Sequence, residues 1–191
     1  ELLTHRFLKL SLEDDERLFK LLGVAQMSGA EFYREHVFSN LSRFKADARD
    51  RTMLQMLKDL PSLCKGDPNF LGLVEQLAFV PTLDGTLHPP QKLYDPAVPE
   101  LVALLDSSQH FPCSLFATAG VLVTLRSLGL QLTLDRPGVL MSARGIIATA
   151  QARSSEADTA KPRAKALLHY LNVHCDRLLV QEPQETNTDG S

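Results

Sequence analysis

The sequence predicts a mainly α fold with a small β-hairpin, an α+β helical segment. Three observations predict it. Apolar residues recur three or four apart along most of the 191 residues. Gly and Pro fall between those stretches and mark their ends. The period changes once, at residues 79–88, where short apolar runs flank an Asp-Gly pair.

The elements follow in order. Ser11 is placed to cap a first helix whose opening turn holds Glu13, Asp14, Asp15 and Glu16, acids at the positive end of the helix dipole. Leu18, Phe19, Leu21 and Leu22 supply its apolar side and Gly23 its end. Ser28 and Glu31 fit a capping box for a second helix that buries Phe32, Val37, Phe38 and Leu41. A charged stretch, 43–51, leads into Met53, Leu54, Met56, Leu57 and Leu60, one face of a helix expected to stop at Pro61. Asp67-Pro68 starts a short helix through Leu71, Leu73, Val74 and Leu77. Phe79-Val80-Pro81-Thr82-Leu83 and Thr86-Leu87-His88 form the hairpin arms about a two-residue Asp84-Gly85 turn. Pro81, lacking an N–H, belongs on an edge.

Pro89, Pro90, Pro96 and Pro99 punctuate the next crossing, and Pro99 opens a helix over Leu101, Val102, Leu104 and Leu105. Ser114 is expected to cap a helix carrying Leu115 to Leu128 and ended by Gly129; with Arg126 as its only charge, it should be buried on most sides. Residues 130–134 alternate like a short strand or extended linker, and Asp135 and Pro137 begin a helix to Ala152 that Gly145 weakens. Residues 153–161 read as a loop. Ala164, Leu167, Leu168, Leu171, Cys175 and Leu178 then form the apolar face of the last helix. The whole reads as one mainly helical unit over 1–181 and a disordered tail over 182–191.

Charge narrows the function classes. Twenty basic and 23 acidic side chains give a net charge of −3, without the basic excess that marks a phosphate-binding surface, so no nucleic-acid partner is expected. The longest uncharged run, 107–125, contains Gln109, His110 and Pro112, which argue against membrane insertion. Three dispersed cysteines, Cys64, Cys113 and Cys175, suit a reducing compartment, hence a cytoplasmic location. The first residue is Glu1, and the sequence reads as a piece of a longer chain.

No catalytic, cofactor-binding or metal-ligating residues are assigned. The ten glycines form no phosphate-cradling spacing, and the six histidines pair with no Cys or carboxylate at zinc-site intervals. His174 and Cys175 are the parts of a thiol nucleophile, but adjacent helical residues point about 100° apart. Cys175 therefore reads as a small buried hydrophobe with His174 on its shoulder, and a Cys/His enzyme is the remote alternative. His169 and Tyr170 read as the border of an apolar face. Glu13 to Glu16 point outward from a helix and form no oxygen cage. Arg43, Lys45, Arg49 and Arg51 are interrupted by Asp47 and Asp50 and read as a solvated face.

The central segment carries the most specific pattern. Phe79-Val-Pro81-Thr-Leu-Asp84-Gly85, then Leu93-Tyr94-Asp95-Pro96 and Pro99-Glu-Leu101-Val-Ala-Leu-Leu105, resembles the internal repeat of the sacsin family. Phe32-Tyr33-Arg34-Glu35-His36-Val37-Phe38 upstream and Arg163 to Leu171 downstream extend the resemblance over about residues 30 to 180. It implies that Phe79, Pro81, Asp84, Gly85, Tyr94, Asp95 and Pro96 define the fold, with Tyr94 as a packed anchor and Asp95-Pro96 as a turn. It also implies a noncatalytic segment of a co-chaperone in protein quality control, lying beyond the GHKL-type ATPase lobe of that family. Its partners would be heat-shock chaperones of the seventy-kilodalton class or their clients, with no cofactor in the segment. The ATPase's acidic-Asn motif and glycine lid and the J domain's His-Pro-Asp are missing here, so no ATPase or J-domain residue is carried over. The alternative is a helical scaffold or protein-interaction module unrelated to chaperones.

Overall fold

The computed structural model describes residue 21 and residues 27–151 and 157–179. The helix expected between Ser11 and Gly23 lies outside the described residues except for Leu21, which is helical and exposed; the tail lies outside them entirely.

The described chain is mainly helical with one two-stranded antiparallel sheet. Helix α1 (Gly29–Phe32) starts at the expected capping box: Glu31 N–H donates to Ser28 Oγ, and Ser28 N–H to the Glu31 carboxylate. It widens into a π turn (Tyr33–Val37) and tightens into 3-10 turns (Phe38–Arg43), which brings the rings of Tyr33 and Phe38 onto Phe70. Helix α2 (Ala46–Gly66) does not stop at Pro61. Its buried face, Met53, Met56, Leu57 and Leu60, continues to Leu63, and packing of that last turn outweighs the one hydrogen bond that proline removes. Helix α3 (Phe70–Gln76) begins after a turn at Asp67, buries Phe70 and Val74, and leaves Leu71 and Leu73 exposed.

Strands β1 (Val80–Pro81) and β2 (Leu87–His88) pair with Val80 opposite His88 and Pro81 opposite Leu87. The turn between them is not the expected two-residue one. Gly85 N–H donates to the Thr82 carbonyl, so Leu83 and Asp84 are the central residues, and Gly85 alone takes positive φ, +86°. Thr82 N–H then donates to the Thr86 carbonyl, closing the bulged three-residue connection. Asp84 dictates the choice: its Oδ1 accepts from Thr82 Oγ1 at 2.6 Å and Thr86 N–H at 3.0 Å, a clasp that also holds its carboxyl below the usual carboxylate range.

A 3-10 turn (Pro90–Lys92), an extended crossing at 93–95 and helix α4 (Pro99–Leu104) follow, with Pro99 in the first turn as expected. Helix α5 (Ala119–Ser127) starts later than Ser114. Cys113 N–H donates to the Pro81 carbonyl, and turns at 113–117 tie this segment to the hairpin before the helix begins. Nor is α5 buried on most sides: Leu122 and Leu125 face inward, while Val123 is 62% exposed. It ends in a Schellman cap, with Leu130 N–H donating to the Leu125 carbonyl, Gly129 N–H to the Arg126 carbonyl, and Gly129 at φ +94°. Helix α6 (Arg136–Gln151) is capped by Asp135, whose Oδ1 accepts from Gly138 N–H at 2.7 Å.

Helix α7 (Ala157–Leu179) runs through 157–161, part of the expected loop, because Ala160 is already packed in the core. Its buried face matches the expected one at Ala164, Leu167, Leu171 and Leu178 but not at Leu168 and Cys175. Ala160, Leu167 and Tyr170 point inward, whereas Leu168 is 68% exposed and Cys175 is exposed. The helix lies against both α6 and α4, and that double contact decides which part of it is covered.

Two hydrophobic clusters result. The first gathers α1, α2, α3, the hairpin, Leu93, Phe116 and α5; the second gathers Tyr94, α4, Phe111, Leu134, α6 and α7.

Candidate functional site

The boundary between the clusters passes between Leu93 and Tyr94. The crossing is extended, so consecutive side chains point to opposite sides, Leu93 into the first core and Tyr94 into the second. Its backbone is tied down on two sides. Tyr94 N–H donates to the His110 carbonyl, while Asp95 N–H donates to the Gln131 carbonyl and Gln131 N–H to that of Leu93. The glycine cap of α5 makes the second tie possible, since the reversal at Gly129 delivers Gln131 beside the crossing. A Cβ at Gly129 would stand 2.8 Å from Gln91 Cγ, so the close approach as well as the positive φ requires glycine.

Asp95 is wholly buried. Its Oδ2 pairs with Arg126 Nε at 2.5 Å, and its Oδ1 accepts from Ala97 N–H at 2.8 Å. Arg126 stands in the last turn of α5 and keeps 39% of its side chain exposed. The ion pair thus joins a helix of the first core to the crossing that opens the second. Pro96 follows in the turn that Asp95 caps.

Tyr94 packs its ring in the second core, with its hydroxyl against the start of α6. A Cβ at Gly138 would lie 2.5 Å from that hydroxyl and 2.9 Å from Asp135 Oδ1. Burial first, and the Asp135 carboxylate second, push the Tyr94 phenol up to about 12. Tyr170 is a second polar anchor, which the border-of-a-face expectation missed: its hydroxyl accepts from Leu134 N–H at 2.8 Å and from Arg177 Nη2 at 2.7 Å. The signal available in the sequence was its place three residues after Leu167 on one face, with Arg177 two turns further on.

Of the remaining fold-defining residues, Phe79 is buried against Phe116 with ring centroids 6.5 Å apart, and Pro81, Asp84 and Gly85 form the hairpin edge and turn already described. Asp84 N–H donates to the Ser108 carbonyl, connecting the hairpin to a loop where Asp106 caps Ser108 and where burial lowers the His110 imidazole.

The residues weighed as catalytic are not brought together. Cys175 faces solvent, whereas His174 sits at a kink in α7, its ring 4.3 Å from that of Tyr170 and its Nε2 3.6 Å from Glu100 Oε2. His174, Tyr170, Glu100 and His169, but not Cys175, line a cleft of about 280 Å³ between α4 and α7. Glu13 to Glu16 lie outside the described residues. Arg49 pairs with its neighbour Asp50 at 2.8 Å, while Arg43, Lys45 and Arg51 are exposed. Among the described residues, no three His, Cys, Asp or Glu side chains are grouped to hold a metal ion, and no helix is long and apolar enough to cross a membrane. A wider groove of about 580 Å³ runs between α2 and α5.

No family model matches this chain, and no solved structure matches it. Sacsin of Homo sapiens is 30% identical to it over 138 residues, which are 70% of this chain and 3% of that protein. The chain therefore carries a region similar to a small part of human sacsin and spans a small fraction of that relative's length.

Proposed function

We propose that this chain is a noncatalytic segment of a sacsin-like co-chaperone, acting in cytoplasmic protein quality control by contacting seventy-kilodalton heat-shock chaperones or their clients. The observation that carries the proposal is the crossing at Leu93-Tyr94-Asp95. Its polar groups are spent on internal bonds to Arg126, Ala97, His110 and Gln131, which is the arrangement of a mechanical link between two packed halves. The separation of Cys175 from His174 and the similarity to human sacsin support the same reading. In this role the segment holds neighbouring modules at a set angle and offers helical faces to other proteins.

The test is binding. Purified chain is expected to retain a seventy-kilodalton heat-shock chaperone in a pull-down, or to slow aggregation of a heat-unfolded model client. A folded chain that does neither defeats the co-chaperone reading in favour of a passive scaffold. Turnover of a nucleotide or ester that Cys175→Ala abolishes would replace it with the enzyme reading.

A further inference from the structure

The groove between α2 and α5 has an unequal composition that points to its occupant. On the α2 side, Leu57 and Leu60 of the first core form its floor, and the exposed Pro61 and half-buried Cys64 its apolar wall. Its α5 wall carries Gly120, Thr124 and Ser127, small side chains that let another backbone come close, and Val123, which is 62% exposed at the lip. Leu71 of α3 is partly exposed at the same opening. One charged side chain lines this groove, Lys58, and no acid does.

Lys58 continues along the helix. Arg51 stands seven residues before it and Lys65 seven after, all three exposed, and seven residues return a helix to nearly the same side. The next residue, Asp59, is not part of the groove; it accepts from Gln55 Nε2 at 2.9 Å. The trough thus has Lys58 at its wall, and Arg51 and Lys65 extend that side of α2 at heptad spacing beyond the lining residues.

We infer that the α2–α5 groove docks an amphipathic helix of a partner protein, its apolar stripe in the trough and acidic residues at seven-residue spacing along the Arg51–Lys58–Lys65 edge. A helix of that chemistry buries Val123 and Leu71 and meets each cation with a carboxylate. The inference deepens the protein-contact reading and rests on it only in treating the groove as a contact surface.

The probe is a labelled synthetic helix of about three heptads, with Leu on its apolar stripe and Glu along one edge. Its Glu→Lys counterpart and a scrambled sequence serve as references, and binding is read by fluorescence polarisation. The Glu peptide is expected to bind best, and more weakly as salt rises. Lys58→Glu should weaken it about fivefold and shift preference to the Lys peptide, while Val123→Glu should weaken both. Both positions are exposed, and unchanged circular dichroism confirms that the variants fold. Equal binding of all three peptides, or binding indifferent to both substitutions, overturns the proposal. So does a chain dimer that Val123→Glu converts to monomer, which would make a second copy the occupant. Peptide binding that survives while chaperone binding fails would sink the co-chaperone reading and leave the groove standing.

Discussion

The first core is closed by volume, the second by polar side chains that reach backbone. In the first, Tyr33 and Phe38 meet Phe70, and Phe79 meets Phe116. In the second, Ser142 Oγ and Arg163 Nη2 both donate to the Leu104 carbonyl, Arg136 Nε donates to that of Leu178, and Tyr170 accepts from Leu134 N–H. The difference lies in which groups each core must close. The 21 residues of α2 present a long apolar face to aromatic neighbours. By contrast, α4 ends inside the second core, where the Leu104 carbonyl, unsatisfied as at any helix end, is capped by side chains from α6 and α7. A core closed by volume should fail through cavities; one closed by polar reach should fail through orphaned donors and acceptors.

Phe116→Ala should have the largest effect, about 3–5 kcal/mol lost by chemical denaturation, because it opens a cavity in a wholly buried site. Hydrogen exchange sharpens the comparison: amides of α2 and α5 should lose protection before those of α6 and α7. Equal loss would mean one cooperative unit.

The joint between the cores comes next, and its two partners should be unequal. Arg126→Ala strands a buried carboxylate and should cost about 2–4 kcal/mol. Asp95→Asn keeps the shape and the acceptor for Ala97 N–H, and Arg126 can turn to water, so about 1–2 kcal/mol is expected. The reverse order in denaturant midpoints would show that Arg126 is dispensable to the joint.

Tyr170→Phe changes volume little but leaves Leu134 N–H without its acceptor, a loss of about 1–2 kcal/mol. Its exchange signature should fall on 130–134 and α7 and spare α2; a deprotected α2 would contradict the division of labour.

The smallest and most condition-dependent effect concerns alkali. The Tyr94 phenol is raised to about 12 in the folded chain from 10. Its contribution to stability is therefore whole below pH 10 and drains away as pH rises toward 12, where the unfolded chain ionises first. Tyr94→Phe should flatten that decline in a pH series of thermal midpoints, and an unchanged slope would place the alkaline transition elsewhere.

Signals that act within one turn of chain were legible in sequence. The Ser28–Glu31 box, Pro99 at the start of α4, the Gly129 reversal and the Asp135 cap each depend on a few adjacent residues, and each stands where those residues imply. Signals that depend on a distant partner misled. Pro61 carries the local mark of a helix end, yet Leu63 beyond it is held in the core. Leu168 and Cys175 have the spacing of a buried face with Leu167 and Leu171, yet they stay exposed while Tyr170 is buried, because α4 and α6 decide which part of α7 is covered. The groove was invisible for the same reason: its walls are more than 50 residues apart in sequence and share no local pattern.

By itself, then, the sequence determined the helical class, the hairpin, the caps at Ser28, Gly129 and Asp135 and the absence of a nucleic-acid charge footprint, because propensity, capping and net charge are properties of neighbouring residues or of their sum. Only the tertiary structure decided that Leu93 and Tyr94 part into two cores, that the buried Asp95 finds Arg126 thirty-one residues away, and that α2 and α5 leave an apolar trough with Lys58 at its wall. Those outcomes depend on which surfaces meet, and a contact across a fold is selected by packing and desolvation that no single segment carries.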